Sequence, residues 1–239
     1  MVLFIIRHGD PIYDPDSLTP KGHLQAQALA KRMALHGLDK IYVSPRIRAQ
    51  MTAQPTCDIL GIKPKILEWT DEDKAYRDLS VVEPDGTRHW IFACQNTRLR
   101  NDNTIKVNDG WENIAEISRI DTAKAGFERI QRESDAFLKK LGYERNGALY
   151  RINNPSEERV AVFCHEGFGT TWLAHLMGIP PHIFWSGFGI SHSGVCVLKF
   201  ENNPDGFTAP RCICMSDLSH IYREGLPYNA NEFGVLVDL

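Results

Sequence analysis

Apolar residues follow two rhythms along this chain. "VLFII" at 2–6 and "VAVFC" at 160–164 are unbroken apolar runs. They have the length and character of strands covered on both faces, as in parallel or mixed sheets flanked by helices. "KIYVS" at 40–44, "GVCVLKF" at 194–200 and "PRCICMS" at 210–216 read as further strands. Between them the spacing changes to threes and fours. Ala26, Leu29, Ala30 and Met33 form one apolar stripe, which predicts a helix capped by Thr19, opened by Pro20 and ended by Gly37. "PRIRAQMTA" predicts a second helix with Pro45 at its start, and Pro55 is expected to kink or break it. Ile120, Ala123, Phe127, Ile130, Phe137 and Leu141 predict a helix over 120–141, and "GTTWLAHLMG" another over 169–178.

Residues 70–118 break both rhythms. They are polar and irregular, yet Trp90, Ile91, Phe92 and Trp111 need cover, so the stretch reads as an insertion or cap. Strands alternating with helices in the first and last thirds predict a layered α/β domain, with ligands gathered at the carboxyl ends of strands.

Composition narrows the picture without deciding it. The chain has 239 residues, 43% of them hydrophobic, enough for a sizeable core. Lys and Arg number 27 against 30 Asp and Glu, so charge gives no support to a nucleic-acid partner. No run reaches the roughly 20 apolar residues of a membrane helix, and "MVLFII" lacks the basic leader of a secretory signal. Cys57, Cys94, Cys164, Cys196, Cys212 and Cys214 contain no C-x-x-C pair. Free thiols and a cytoplasmic location are the expectation.

The chemistry gathers at strand ends. Arg7-His8-Gly9 follows the first strand, Ser44 to Arg48 the second, and His165-Glu166 the late one. If these strands are adjacent and parallel, two guanidiniums and two imidazoles converge, and their mutual repulsion calls for an anionic ligand. Phosphate suits best, because guanidinium forks match its oxygens in pairs. A neutral imidazole in such a pocket can attack phosphorus, and a departing alkoxide then needs an acid. "LEWTDED" offers Glu68, Asp71, Glu72 and Asp73. A metal site at His8 and His165 is opposed by the neighbouring arginines, so neither metal nor cofactor is expected.

"RHG" at the first strand end, "LTPKG" at the next helix start, "SPRIRAQMTA" and the late "FCHEG" together resemble the histidine phosphatase superfamily, also called phosphoglycerate mutase-like. The resemblance implies His8 as the residue that becomes phosphorylated, with Arg7, Arg48 and His165 binding the phosphoryl group. It favours Arg48 over Arg46, since the arginine directly precedes the alanine of "RAxxTA". It puts Glu72 ahead of Glu68 as the acid, although the usual "GxWEG" stretch is absent. Asp14 stands where many members have an Asn on phosphate, and is expected to point away. Glu166 replaces a common Gly and is expected at the substrate or the rim. His192, in "ISHSG", is a further candidate.

These readings combine into a three-layer α/β/α sandwich with a mostly parallel sheet, one domain over 1–239 and a cap at about 69–119. The expected activity is a metal-independent phosphatase acting on a small phosphomonoester through a phosphohistidine, with no nucleic-acid or membrane partner. Two rivals stand beside it: a phosphoglycerate-type mutase, and a catalytically weak module that binds a phosphorylated ligand or protein. The oligomeric state is not legible.

Overall fold

The computed structural model of the chain describes residues 1–94, 96–100 and 110–227. From the N-terminus come β1 (Val2–Arg7), a hairpin of β2 (Pro11–Tyr13) and β3 (Asp16–Leu18), α1 (Pro20–His36), β4 (Lys40–Val43), α2 (Ile47–Leu60) and β5 (Lys65–Ile66). Next are α3 (Glu72–Asp78), a hairpin of β6 (Ser80–Val82) and β7 (Arg88–Trp90), α4 (Asn96–Arg100) and α5 (Ala123–Lys140). The chain continues through β8 (Tyr143–Asn146), β9 (Leu149–Ile152), β10 (Arg159–Cys164), α6 (Glu166–Met177) and α7 (Pro181–Gly187). It closes with β11 (Val195–Lys199), β12 (Phe207–Thr208), β13 (Arg211–Asp217) and α8 (Ser219–Arg223).

The main sheet has the order β13-β11-β1-β10-β4-β5. The run β1-β10-β4-β5 is parallel, while β11 and β13 join antiparallel. Leu3, Ile5, Ile6, Val160, Val162 and Phe163 are fully buried, and each such side chain stabilises the fold by about 1.5–3 kcal/mol. Leu3, Ile5, Val160 and Val162 point into one apolar cluster with Phe168, Trp172 and Phe137. Phe4, Ile6 and Phe163 point into the other, with Leu29, Met33, Ala49 and Ala53 from α1 and α2. Helices therefore cover both faces, as the unbroken apolar strands require.

Local signals hold where they act within one turn. Thr19 accepts the Gly22 amide, Pro20 opens α1, and Gly37 closes it at φ 69°. Others are overridden. Pro45 lies outside α2, whose cap position is Arg46, and Pro55 sits inside it. Proline removes one rung of the ladder, but Ala49, Ala53 and Cys57 pack the helix into the core on both sides of the gap. The expected helix 120–141 begins at Ala123, and α6 begins at Glu166 rather than Gly169. The β8–β9 hairpin turns through Gly147-Ala148, with Gly147 at φ 62° in the first loop position.

Of the stretch expected to be a cap, residues 95 and 101–109 lie outside the described residues. The remainder is more regular than its composition suggests: α3 and the β6–β7 hairpin fill its first half. Ile91 is buried, while Trp90, Phe92 and Trp111 are partly buried against the core cluster.

Candidate active site

The parallel register pairs Arg7 with Cys164 and Val43 with Phe163. The residues that follow, His8 and His165, therefore stand side by side, with Ser44 one step back at the third of three neighbouring strand ends. His8 N–H donates to the Cys164 carbonyl and Ser44 N–H to the Phe163 carbonyl, both at 2.9 Å. The His8 and His165 rings meet edge to face at 5.2 Å between centroids. His165 bonds Ser44 Oγ through Nε2 at 2.7 Å, and its Nδ1 has no hydrogen-bond partner among the described residues.

Two glycines hold this arrangement at the level of the main chain. A Cβ on Gly9 would lie 2.7 Å from the Gly22 carbonyl oxygen, and one on Gly22 would lie 2.2 Å from that of Asp10. The loop after His8 and the first turn of α1 thus touch backbone to backbone. Gly9 N–H also donates to Thr52 Oγ1 at 2.9 Å, tying the loop to α2.

Hydrogen bonding defines the state of His8. Its Nδ1 lies 2.7 Å from the Gly9 carbonyl, an acceptor only, so Nδ1 carries the proton. Nε2 is left with its lone pair and accepts from Arg48 Nε at 3.3 Å. Burial first, then the charges of Arg7 and Arg48, hold the His8 imidazole well below its usual pKa, against the opposing pull of the Gly9 carbonyl. His165 is lowered in the same sense by burial, His8 and Arg48. Both rings are neutral near pH 7.

The arginines are themselves held. Arg48 Nη1 donates to Asp16 Oδ1 at 2.9 Å, and the other oxygen of Asp16 accepts the Ile47 amide at the start of α2. Arg7 Nη1 donates to the Ile190 carbonyl at 2.6 Å and pairs with Glu166 at 2.8 Å. Arg7 Nη2 meets His192 Nε2 at 2.7 Å, and His192 Nδ1 lies 3.4 Å from Asp10. The repulsion anticipated among bare cations is therefore partly offset by Asp16 and Glu166, two carboxylates 150 positions apart in the sequence. Arg46, the alternative to Arg48, instead forks onto Asp71 at 2.6 and 3.1 Å and reaches Asp73 at 2.6 Å.

Glu72 opens α3, and its carboxylate accepts the Gly167 and Phe168 amides of α6 at 3.0 and 2.9 Å. Burial pushes its pKa up to about 7, against the pull of those amides and of Arg48 and Arg7. An acid so tuned is half protonated near neutrality.

His8, Arg7, Arg48, Glu72 and Glu166 line one cavity of about 610 Å³. Of the remaining candidates, His165 lies against His8, and His192 joins through Arg7 with its ring 5.6 Å from that of His8. Glu68 is exposed and absent from the cavity wall, as is Asp14. Trp90, expected to find cover within the cap, also lines the cavity. Asp16 was missed because its partner lies across the fold, with no local signal in "DPDSL" to announce it. Among the described residues no group of three or more His, Cys, Asp or Glu is placed to hold a metal ion, and no helix is long and apolar enough to cross a membrane.

Comparison with known proteins places this geometry. The sequence profile of the histidine phosphatase superfamily (branch 1) matches residues 3–74. The protein named "Putative phosphoserine phosphatase 2" of Hydrogenobacter thermophilus is 31% identical over 97 residues, covering 37% of this chain and 45% of that protein. The chain spans less than half the length of the curated relatives it matches. Among solved structures, phosphoserine phosphatase from Entamoeba histolytica aligns over 92% of this chain and 98% of its own, with TM-score 0.60 and 18% identity. The alpha-ribazole phosphatase from Shigella flexneri aligns over 91% and 96%, with TM-score 0.57 and 18% identity. The first third of the chain thus matches the profile of the histidine phosphatase superfamily, and the described fold matches that of these phosphatases over more than nine-tenths of its length.

Proposed function

We propose that this protein is a phosphatase that hydrolyses a small phosphomonoester through a phosphohistidine on His8. One observation carries the reading: a neutral imidazole with its Nε2 lone pair available sits between two arginines and a second imidazole, at the floor of a cavity. The names of the similar proteins, phosphoserine and alpha-ribazole phosphatases, support the same reaction class.

In the first step Nε2 of His8 attacks phosphorus, the N–P bond forms, and the ester P–O bond breaks. Arg48 moves its donor from Nε2 to an equatorial oxygen, Arg7 takes a second, and His165 Nδ1, protonated while Nε2 accepts from Ser44, takes a third. These donors stabilise the spread charge of the transition state. Glu72 gives its proton to the departing alkoxide. In the second step the Glu72 carboxylate takes a proton from water, the water oxygen attacks phosphorus, the N–P bond breaks, and orthophosphate leaves. The segment around 69–119 acts as the cap, since Tyr76, Arg88, His89, Trp90 and Phe92 form the outer cavity wall.

The test is turnover of p-nitrophenyl phosphate by wild type and His8→Ala, with acid-labile phosphate trapped on the wild-type protein by rapid quench. Loss of turnover to background in a folded His8→Ala supports the reading. Undiminished turnover in that variant, or none in wild type with any phosphomonoester, refutes it. Turnover that requires a bisphosphate primer would indicate a mutase instead.

A further inference from the structure

We infer that the organic part of the substrate is a planar ring without an ammonium group, rather than a three-carbon acid; this rests on the phosphatase reading above. Three aromatic side chains share the cavity with the phosphate cradle. Trp90 and Phe92 stack with centroids 5.0 Å apart at 19°, and Tyr76 meets Trp90 edge-on at 5.0 Å. All three line the cavity that holds His8. The wall is built into the site. A Cβ on Gly167 would lie 2.4 to 2.8 Å from three ring atoms of Trp90, so the indole edge rests on the α6 turn whose amides hold Glu72.

The charges disfavour one class of occupant. Each carboxylate on the cavity wall is engaged: Asp16 with Arg48, Asp73 with Arg46, Glu166 with Arg7, and Glu72 with two amides. Among the described residues, the ammonium of an amino-acid phosphate would have to compete with these partners for any wall carboxylate. The volume argues the same way. About 610 Å³ lies within the range of roughly 300–1,000 Å³ that suits a larger organic molecule. A three-carbon phosphoester would leave the aromatic wall wet, whereas a ring stacked on it removes apolar surface from water on both partners.

The test compares substrates with the same kind of leaving group. These are 2-phenylethyl phosphate and a nucleoside monophosphate on one side, and propyl phosphate, glycerol phosphate and phosphoserine on the other. We expect kcat/KM at least about tenfold higher for the ring compounds, carried mostly by KM, as one added stacking contact allows. Trp90→Leu should lower the ring compounds about tenfold more than propyl phosphate, and Phe92→Leu should shift the ratio the same way if the first variant does not fold. A wild-type preference for phosphoserine or glycerol phosphate overturns the inference, as does a Trp90→Leu effect equal on all substrates. Calorimetric affinity for 2-phenylethyl against propyl phosphate separates the two claims. Ring preference in binding without any turnover sinks the hydrolysis alone, and equal affinity in an active enzyme sinks the ring alone.

Discussion

Replacing Glu72 with Gln isolates the proton from the rest of the site. The side chain keeps its shape, and the amide oxygen still accepts from Gly167 or Phe168, but the NH2 group now faces the other donor. Losing one charge-assisted hydrogen bond costs about 1.5–3 kcal/mol of stability, which leaves a domain of ordinary stability folded. Chemistry suffers more, because the alkoxide must leave without its acid. Positioned acids contribute about 10²–10⁴ in rate, or roughly 3–5 kcal/mol of barrier. That whole loss should appear with propyl phosphate. With p-nitrophenyl phosphate, whose leaving group is stable as an anion, the first step should fall less than about tenfold. The assay is single-turnover quench of both substrates on wild type and Glu72→Gln, with a melting curve for each protein. Equal losses on the two substrates would refute the assignment and the geometric reasoning behind it.

Two other outcomes follow from the same geometry. The pH profile of kcat/KM for an alkyl substrate should fall about tenfold per unit above pH 7, where Glu72 loses its proton, and this limb should vanish in Glu72→Gln. No enzyme limb should appear at the ordinary histidine value, because His8 is already neutral there; ionisation of the ester itself near pH 6 affects all substrates alike. An enzyme limb that rises with pH near 6.5 and persists in Glu72→Gln would contradict the assigned state of His8. Gly22→Ala, at a residue absent from the cavity wall, should destabilise the protein by about 1–3 kcal/mol, since its Cβ overlaps the Asp10 carbonyl. Thermal melting of that variant within a degree of wild type would show the backbone contact to be loose.

What could be read from the residues, and what could not, divides along physical lines. "RHG", "LTPKG" and "FCHEG" were legible because each is a short-range arrangement: a strand end, a capped first turn, a glycine where backbones touch. The pocket was foreseeable from four such segments in order. The ion pairs that hold Arg48 and Arg7 were not, because Asp16 and Glu166 find their partners through tertiary packing. Glu72 could be singled out only by resemblance; its raised pKa comes from burial in the folded site, against the pull of the α6 amides nearly a hundred residues later. Trp90 looked like ordinary packing material because its contact with Gly167 depends on how the β6–β7 hairpin folds back.

The placement of Ser44, His165 and His8 at neighbouring strand ends has a consequence for how such a protein can change. Their spacing is not negotiated by side chains; it is inherited from the pitch at which neighbouring strands bond. Mutation in the β6–β7 hairpin can therefore reshape what enters without moving these strand ends. The part of the site built on strand ends is written into the ladder of the sheet, and only the hairpin above it is a replaceable roof.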